Sequence, residues 1–397
     1  MRYPECVTPS PGCTALKLNK GLYGLKQAGR LWWKELGSKL EQLGFSKLDS
    51  DWGLYVRTEK SGKPFMMLLV YVDDFVIAGR STRDIRQFLS DVETYWKLSE
   101  MGEISNILGM KVTRDRTNRK ILLAQPGYID KVAKQFPTTF NPKFKSSTPL
   151  PDGFADLGET VDIEPTPYQG LVGCFQWLAT CTRPDISFTA SFLARHLTNP
   201  TDAHMRLALR TVSYLKYEQS YALTIGGGDD LTLRGFVDAD WAGCLETRRS
   251  TTGFVFVLNG SAVVWSAKRQ PTVACSTVEA EYVAVSEASR EAMWLRNLLQ
   301  ELGFKQSRST LLNCDNKGAI RLALNPGTHQ RTKHIDIKHH FIRELVENGT
   351  VELQYVESGR QLADVLTKGL PKARHTENSR ELGLTMSGQE EKAGSGK

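Results

Sequence analysis

Two adjacent carboxylates set between two apolar runs constrain this chain more than any other feature. Phe65-Met66-Met67-Leu68-Leu69-Val70 leads into Tyr71-Val72-Asp73-Asp74, and Phe75-Val76-Ile77-Ala78 leads out. Short β-prone runs on both sides of a polar pair predict a buried hairpin with Asp73 and Asp74 at its tip. Packing on both flanks would crowd the two acids, and crowded carboxylates repel unless a cation neutralises them. Oxygen-only ligands suit a hard divalent ion such as Mg2+ or Mn2+. Such a site serves phosphoryl transfer, where two metals stabilise the attacking and leaving oxygens. A solvated Asp-Asp turn is the plainer alternative.

The rest of the chain reads as alternating blocks. Leu36, Leu40 and Leu43 give 31–43 a helical stripe. Thr82 to Leu98 reads as a helix capped by Ser81 or Thr82, with Ile85, Phe88, Leu89 and Val92 on one face. A short strand over 121–124 and a helix over 128–136 precede Pro137–Pro167, whose Pro, Thr, Ser, Gly and Asp content predicts a linker. Helices follow to about 220. Strands are expected over 231–238, 253–258 and 261–266, the last two joined by Asn259-Gly260, a strong hairpin signal. A long helix over 277–302 comes next. Strand 310–314, helix 317–323, helix 339–347, strand 351–355 and helix 362–367 complete the pattern. Beyond about Lys372 the sequence is polar, and disorder is expected.

With 397 residues, two or three domains have room for cores. A net charge of +7 suits a polyanionic partner without requiring one. Seven scattered cysteines without a Cys-x-x-Cys pair argue against a disulfide framework or zinc knuckle, and for a reducing, intracellular setting. Neither a signal-peptide core nor a run long enough to cross a bilayer is present, so a soluble protein with no membrane partner is expected.

Leu22-Tyr23-Gly24-Leu25-Lys26-Gln27-Ala28-Gly29-Arg30, followed by Trp32-Trp33, stands upstream of the hairpin. Together these segments resemble the reverse transcriptase of copia-type LTR retrotransposons. The resemblance runs on through Met101-Gly102-Glu103, Leu108-Gly109 and Thr182-Arg183-Pro184-Asp185-Ile186. It continues in Phe236-Val237-Asp238-Ala239-Asp240-Trp241-Ala242-Gly243, Lys333-His334-Ile335-Asp336 and Ala363-Asp364. It implies an α+β / α/β multidomain chain: partial polymerase palm and thumb over 1–136, linker 137–167, helical connection 168–228, ribonuclease H-like mixed-sheet domain 229–371, and disordered tail 372–397. It also implies RNA-directed DNA polymerase chemistry at Asp73 and Asp74, with nucleic-acid contacts from Tyr23, Gly24, Lys26, Gln27 and Arg30. The implied partners are RNA template, DNA and RNA–DNA hybrid, with deoxynucleotides only if the polymerase is completed. The implied location is the cytoplasm, a virus-like particle or the nucleus. Three departures stand out. The family's third polymerase Asp is expected upstream, yet the residues before Leu18 hold no acid but Glu5. Gly29 replaces the usual Pro, and Asn106-Ile107 the usual Tyr-Phe. The polymerase is therefore expected to be incomplete.

Three strands, a long helix, then alternating strand and helix is the element order of the ribonuclease H fold. Asp238 falls at the end of its first strand, Glu279 one turn into the long helix, Asp315 just past the fourth strand and Asp364 near the last helix. Four acids from separate elements would bind two divalent ions, Mg2+ or Mn2+, and by resemblance they match the catalytic acids of copia-type ribonuclease H. An acid near a helix start can instead be a cap or dipole partner. Asp240 would share a strand face with Asp238 and support it. Glu281, two along the helix from Glu279, would face away and is read as structural. Arg331, Lys333 and His334, with Lys338, His339 and His340, are read as a basic nucleic-acid contact rather than a zinc site, because the lysines would repel a cation. Arg248, Arg249, Lys268 and Arg269 extend that surface. Trp32 and Trp33 could stack bases or pack in a core. The rival class is a catalytically dead remnant acting as a nucleic-acid-binding module.

Overall fold

The computed structural model describes residues 8, 11–12, 14–15, 17–137, 146–151, 153–155, 157, 159–324 and 333–386, of which 333–339 are described as backbone alone. The chain divides into two compact units, Met1–Gly102 with Arg296–Lys305, and Glu103–Leu295 with Gln306–Lys397. Each mixes helices with sheet, so the α+β multidomain class holds. Among the described residues, no helix is long and apolar enough to cross a membrane.

The first unit holds helix α1 (Ala28–Gln42), strands β1 (Ser46–Lys47), β2 (Leu54–Thr58), β3 (Pro64–Tyr71) and β4 (Asp74–Gly79), and helix α2 (Thr82–Glu93). The strands form one sheet in chain order. Leu36 and Leu40 of α1 and Phe88 and Val92 of α2 pack on Tyr55, Met66 and Leu68 of the sheet. Each such buried side chain contributes roughly 1.5–3 kcal/mol. Ser81 is the cap of α2, its hydroxyl accepting the Asp84 amide at 3.1 Å. The helix stops at Glu93, short of the expected Leu98, because the Tyr95 and Trp96 amides both turn back to the Val92 carbonyl.

The second unit begins with β5 (Asn106–Ile107), β6 (Met110–Asp115), β7 (Lys120–Ala124) and α3 (Pro126–Gln135). Helices α4 (Pro165–Cys181), α5 (Ser187–Leu193) and α6 (Asp202–Tyr217) follow, then β8 (Tyr221–Gly226). Next come β9 (Arg234–Asp240), β10 (Thr251–Leu258), β11 (Ser261–Arg269), α7 (Thr277–Glu301, whose residues from Arg296 on count with the first unit), β12 (Thr310–Cys314), α8 (Lys317–Leu324), α9 (Lys333–Glu347), β13 (Val351–Tyr355), α10 (Lys372–Glu381) and β14 (Leu384–Met386). One sheet has the order β11-β10-β9-β12-β13, with β9, β10 and β11 antiparallel and β12 parallel to its neighbours. Asn259 and Gly260, both at positive φ, make the β10–β11 turn as expected. A second sheet has the order β14-β8-β7-β6-β5.

That second sheet and the compact units divide the chain at other places than the expected boundaries. Strands β5 to β7, assigned above to a polymerase block ending at 136, belong to the second unit. The region read as a helical connection to 228 ends in a strand, β8, which pairs with β7 on one side and β14 on the other. The tail expected to be disordered from 372 is a helix and a strand as far as Met386. Its polar residues act as buried partners, with His375, Asn378 and Ser379 enclosed beside Leu382 and Leu384. Residues 387–397 lie outside the described set, as do 138–145 of the expected linker. In the rest of that linker Thr148 and Leu150 are buried, and α4 already starts at Pro165. The last expected helix, 362–367, is a tighter 3-10 segment, Leu362–Leu366.

The Thr182–Ile186 motif has a structural role. Arg183 and Asp185 are both fully buried and joined by two bonds, Nε to Oδ1 at 2.9 Å and Nη2 to Oδ2 at 2.8 Å. The Tyr214 hydroxyl donates to the same Asp185 oxygen at 2.6 Å. Around this pair Tyr168, Leu171, Phe175, Leu178, Leu207 and Val212 form the helical core.

Candidate active site

Three acids meet at one end of the five-stranded sheet led by β11. Asp238 projects from β9, Glu281 from α7, and Asp315 follows β12 directly. One carboxylate oxygen from each lies within 4.8 Å of the others. β9 and β12 are parallel neighbours, which sets Asp238 beside Asp315. Each acid is fixed by a donor. The Thr367 hydroxyl donates to Asp238 Oδ2, the Ser358 hydroxyl to Asp315 Oδ2 at 2.7 Å, and the Ala239 amide to the Glu281 carboxylate.

The electrostatics of this trio are those of an unneutralised site. Burial, with Asp364 and Asp315 nearby and Lys368 opposing, pushes the Asp238 carboxyl up to about 6. Burial and the charges of Asp238 and Asp315 push Glu281 up to about 9. Oxygen-only ligands, crowded until they hold protons, are the donor set that a hard divalent cation fits.

Asp364 comes from the Leu362–Leu366 segment. Gly253 of β10 lies opposite Asp238, and a Cβ there would come within 2.6 Å of Thr367 and 3.2 Å of the Ala363 carbonyl. A bare backbone at Gly253 thus lets the Leu362–Leu366 segment press onto the sheet. Buried Gln361 pins its start by donating to the Val237 carbonyl at 2.9 Å. Asp364 is then held by cations. Arg374 Nη2 is 2.7 Å from Oδ2, and Lys368 Nζ is 2.8 Å from Oδ1, an ion pair whose angle falls short of a hydrogen bond. Lys368 also lies 3.8 Å from Asp238 Oδ2.

One expected ligand does not join the others. Glu279 folds back on the helix start, its carboxylate accepting the Cys275 amide at 2.8 Å while its own amide donates to Ser276 at 3.2 Å. Glu281, read as structural, takes its place in the cluster. Two residues on a helix are turned by roughly 200°, so only one of the pair can face the sheet. A signal was present in the sequence. Counting 4, 7 and 11 residues from Glu281 gives Val285, Ala288 and Ala292, all apolar and buried, whereas the same steps from Glu279 give Val283, Ser286 and Arg290, of which the last is exposed. Asp240 lies on the same side as Asp238, with its carboxylate over Gly243. Lys368, Thr367 and Ser358 had no motif to mark them.

In the first unit, Asp73 and Asp74 sit exposed at the tip of the β3–β4 hairpin, with Tyr71 paired to Asp74. Among the described residues they join no third acid in a metal-binding group, and Glu5 lies outside those residues. Tyr23, Gly24, Lys26 and Gln27 are exposed along the turns that lead into α1, and Arg30 is exposed in its first turn. Trp32 packs edge-on against Trp96. Trp33 stacks on Trp52, with the Lys47 ammonium over both rings. Arg331 lies outside the described residues. Lys333 and His334 open α9, and only their backbone is described.

A carboxylate hairpin in one unit and a mixed five-stranded sheet bearing an acidic cluster in the other define an α+β retroelement Pol chain. A family model described as "Reverse transcriptase (RNA-dependent DNA polymerase)" matches residues 10–150. The chain is 37% identical over 364 residues to a retrovirus-related Pol polyprotein from transposon TNT 1-94 of Nicotiana tabacum, covering 90% of this chain and 27% of that protein. It is 32% identical over 281 residues to the putative transposon Ty5-1 protein YCL074W of Saccharomyces cerevisiae, covering 69% of this chain and 89% of that one. A foamy viral protease-reverse transcriptase solved in complex with dsDNA is 12% identical, with 85% of this chain and 60% of that chain covered and a TM-score of 0.49. The chain belongs to the copia-type retrotransposon Pol family. It spans about a quarter of the length of the Pol polyproteins it matches.

Proposed function

We propose that the second unit cleaves the RNA strand of an RNA–DNA hybrid with the help of Mg2+ or Mn2+, two ions per active site. The observation that carries this reading is the convergence of Asp238, Glu281 and Asp315 within 4.8 Å. These three would hold one ion, and Asp238 with Asp364 would face the second. When bound, the ions supply positive charge that activates a water and stabilises the leaving oxygen. The protein's own part is positional. Thr367 and Ser358 orient Asp238 and Asp315, the Ala239 amide orients Glu281, and the raised proton affinities of Asp238 and Glu281 store protons that leave on ion binding. Water adds to phosphorus as the bond to the 3′ oxygen breaks, leaving a 5′-phosphate and a 3′-hydroxyl.

For polymerase chemistry, Asp73 and Asp74 are proposed as two of the metal-binding carboxylates; among the described residues no third acid joins them. Tyr23, Gly24, Lys26, Gln27 and Arg30 are proposed to meet template and primer, and Arg331, Lys333 and His334 the hybrid. An intracellular site of action is supported by five free cysteines among the described residues. The test is cleavage of a labelled hybrid by the whole chain. Mg2+-dependent nicking should fall about a hundredfold or more, about 2.7 kcal/mol in barrier, in Glu281→Gln. A folded chain without metal-dependent cleavage would favour a binding remnant instead.

A further inference from the structure

We infer that Lys368 is a built-in cation of the site, its ammonium holding the second divalent-ion position, so that the free protein binds one divalent ion rather than two. This rests on the reading that the acidic cluster holds divalent ions. The ammonium lies 2.8 Å from Asp364 and 3.8 Å from Asp238, the two acids that would face a second ion. Arg374 covers the other Asp364 oxygen at 2.7 Å. Both oxygens of the fourth carboxylate are therefore already matched to positive charge, while Asp238, Glu281 and Asp315 each bring one oxygen within 4.8 Å of the others.

Charge balance points the same way. Once ion binding has displaced their protons, four carboxylates against Lys368 and Arg374 leave two negative charges, which one divalent ion neutralises. A second ion beside an ammonium in the same place would meet a like charge a few ångströms away, which is strongly unfavourable. The ammonium is placed by these two contacts, 2.8 Å from Asp364 and 3.8 Å from Asp238. The backbone explains how it arrives. The Lys368 amide turns back to the Asp364 carbonyl at 3.1 Å, and the i,i+4 spacing returns the side chain over the acid. With 40% of that side chain exposed, the ammonium can swing into water when a substrate phosphate and its ion arrive. Lys368 is thus a positioning residue that reserves the second place until substrate is bound.

Binding of Mn2+ to the whole chain without nucleic acid, followed by the resonance signal of the free ion and by calorimetry, tests this. The wild type should bind one Mn2+, and both Lys368→Ala and Lys368→Gln should bind two, the second gaining about tenfold or more in affinity. Lys368→Arg should keep one. A count of one in wild type and in both neutral variants overturns the inference and leaves the metal-site reading intact. Two ions in the wild type also overturns it. A wild type that binds no more than Glu281→Gln sinks the metal-site reading itself, and this inference with it.

Discussion

Trp32 donates its indole N–H to the carbonyl of Val72 at 2.6 Å, tying α1 to the tip of the carboxylate hairpin. Val72 has φ of 58°, a region that a β-branched residue enters only at a cost of about 1–3 kcal/mol. The bond from Trp32 and the β3–β4 ladder hold that turn, and with it Asp73.

A local prediction follows from this tie. Trp32→Phe keeps the ring against Trp96 and loses one hydrogen bond, worth about 1 kcal/mol. Amide exchange from Tyr71 to Phe75 should then quicken about fivefold, while the β9–β12 amides keep their protection. Equal loss of protection in both regions would contradict a local role for Trp32.

The two glutamates of α7 should separate cleanly. Glu281→Gln removes a member of the acidic cluster, and cleavage of hybrid should fall about a hundredfold or more. Glu279→Gln weakens a contact at the helix start and should cost about 1 kcal/mol of stability, with cleavage changed no more than a few-fold. Asp238→Asn combined with Glu281→Gln should lose little beyond either change alone, because ligands of a shared ion act as a unit. A Glu279→Gln defect as deep as that of Glu281→Gln would reverse the assignment.

What the sequence disclosed follows the range of the forces involved. The hairpins at Asp73-Asp74 and Asn259-Gly260 rest on local alternation and turn chemistry, and both are legible in a few residues. Asp238 and Asp315 were legible because strand ends declare themselves by period. The choice between Glu279 and Glu281 depends on helical phase over several turns, where a nearby cap signal at Ser276 favours the wrong one. Lys368 and Thr367 act through a packing contact with Gly253 that lies more than a hundred residues away in sequence. The same holds for β14, a short strand whose partner is β8.

The buried Arg183–Asp185 pair should behave as structure rather than chemistry. Arg183→Met strands a buried carboxylate and should cost about 3–5 kcal/mol, whereas Arg183→Met with Asp185→Leu should recover much of that loss. Thermal denaturation of the single and double variants measures it. A mild single-variant effect would mean that Tyr214 alone satisfies Asp185.

The last prediction concerns pH. Asp238 at about 6 and Glu281 at about 9 both hold protons in the folded chain more tightly than free carboxyls, whose values are near 4. Between about pH 4 and 9 the folded state therefore binds more protons than the unfolded state. Stability from these two groups is full at the acid end and is lost as pH rises through that window. Without divalent ions, the melting temperature should fall across pH 5 to 9 by more in the wild type than in Glu281→Gln. At pH 8 the variant should melt higher, by about 1–2 °C for each kcal/mol in a chain of this size. Divalent ions bind the deprotonated acids, so millimolar Mg2+ should raise the wild type above the variant and release protons detectable in weak buffer. A wild type that melts above Glu281→Gln at pH 8 without divalent ions would mean that Glu281 is already neutralised in the free protein, most directly by a closer approach of Lys368.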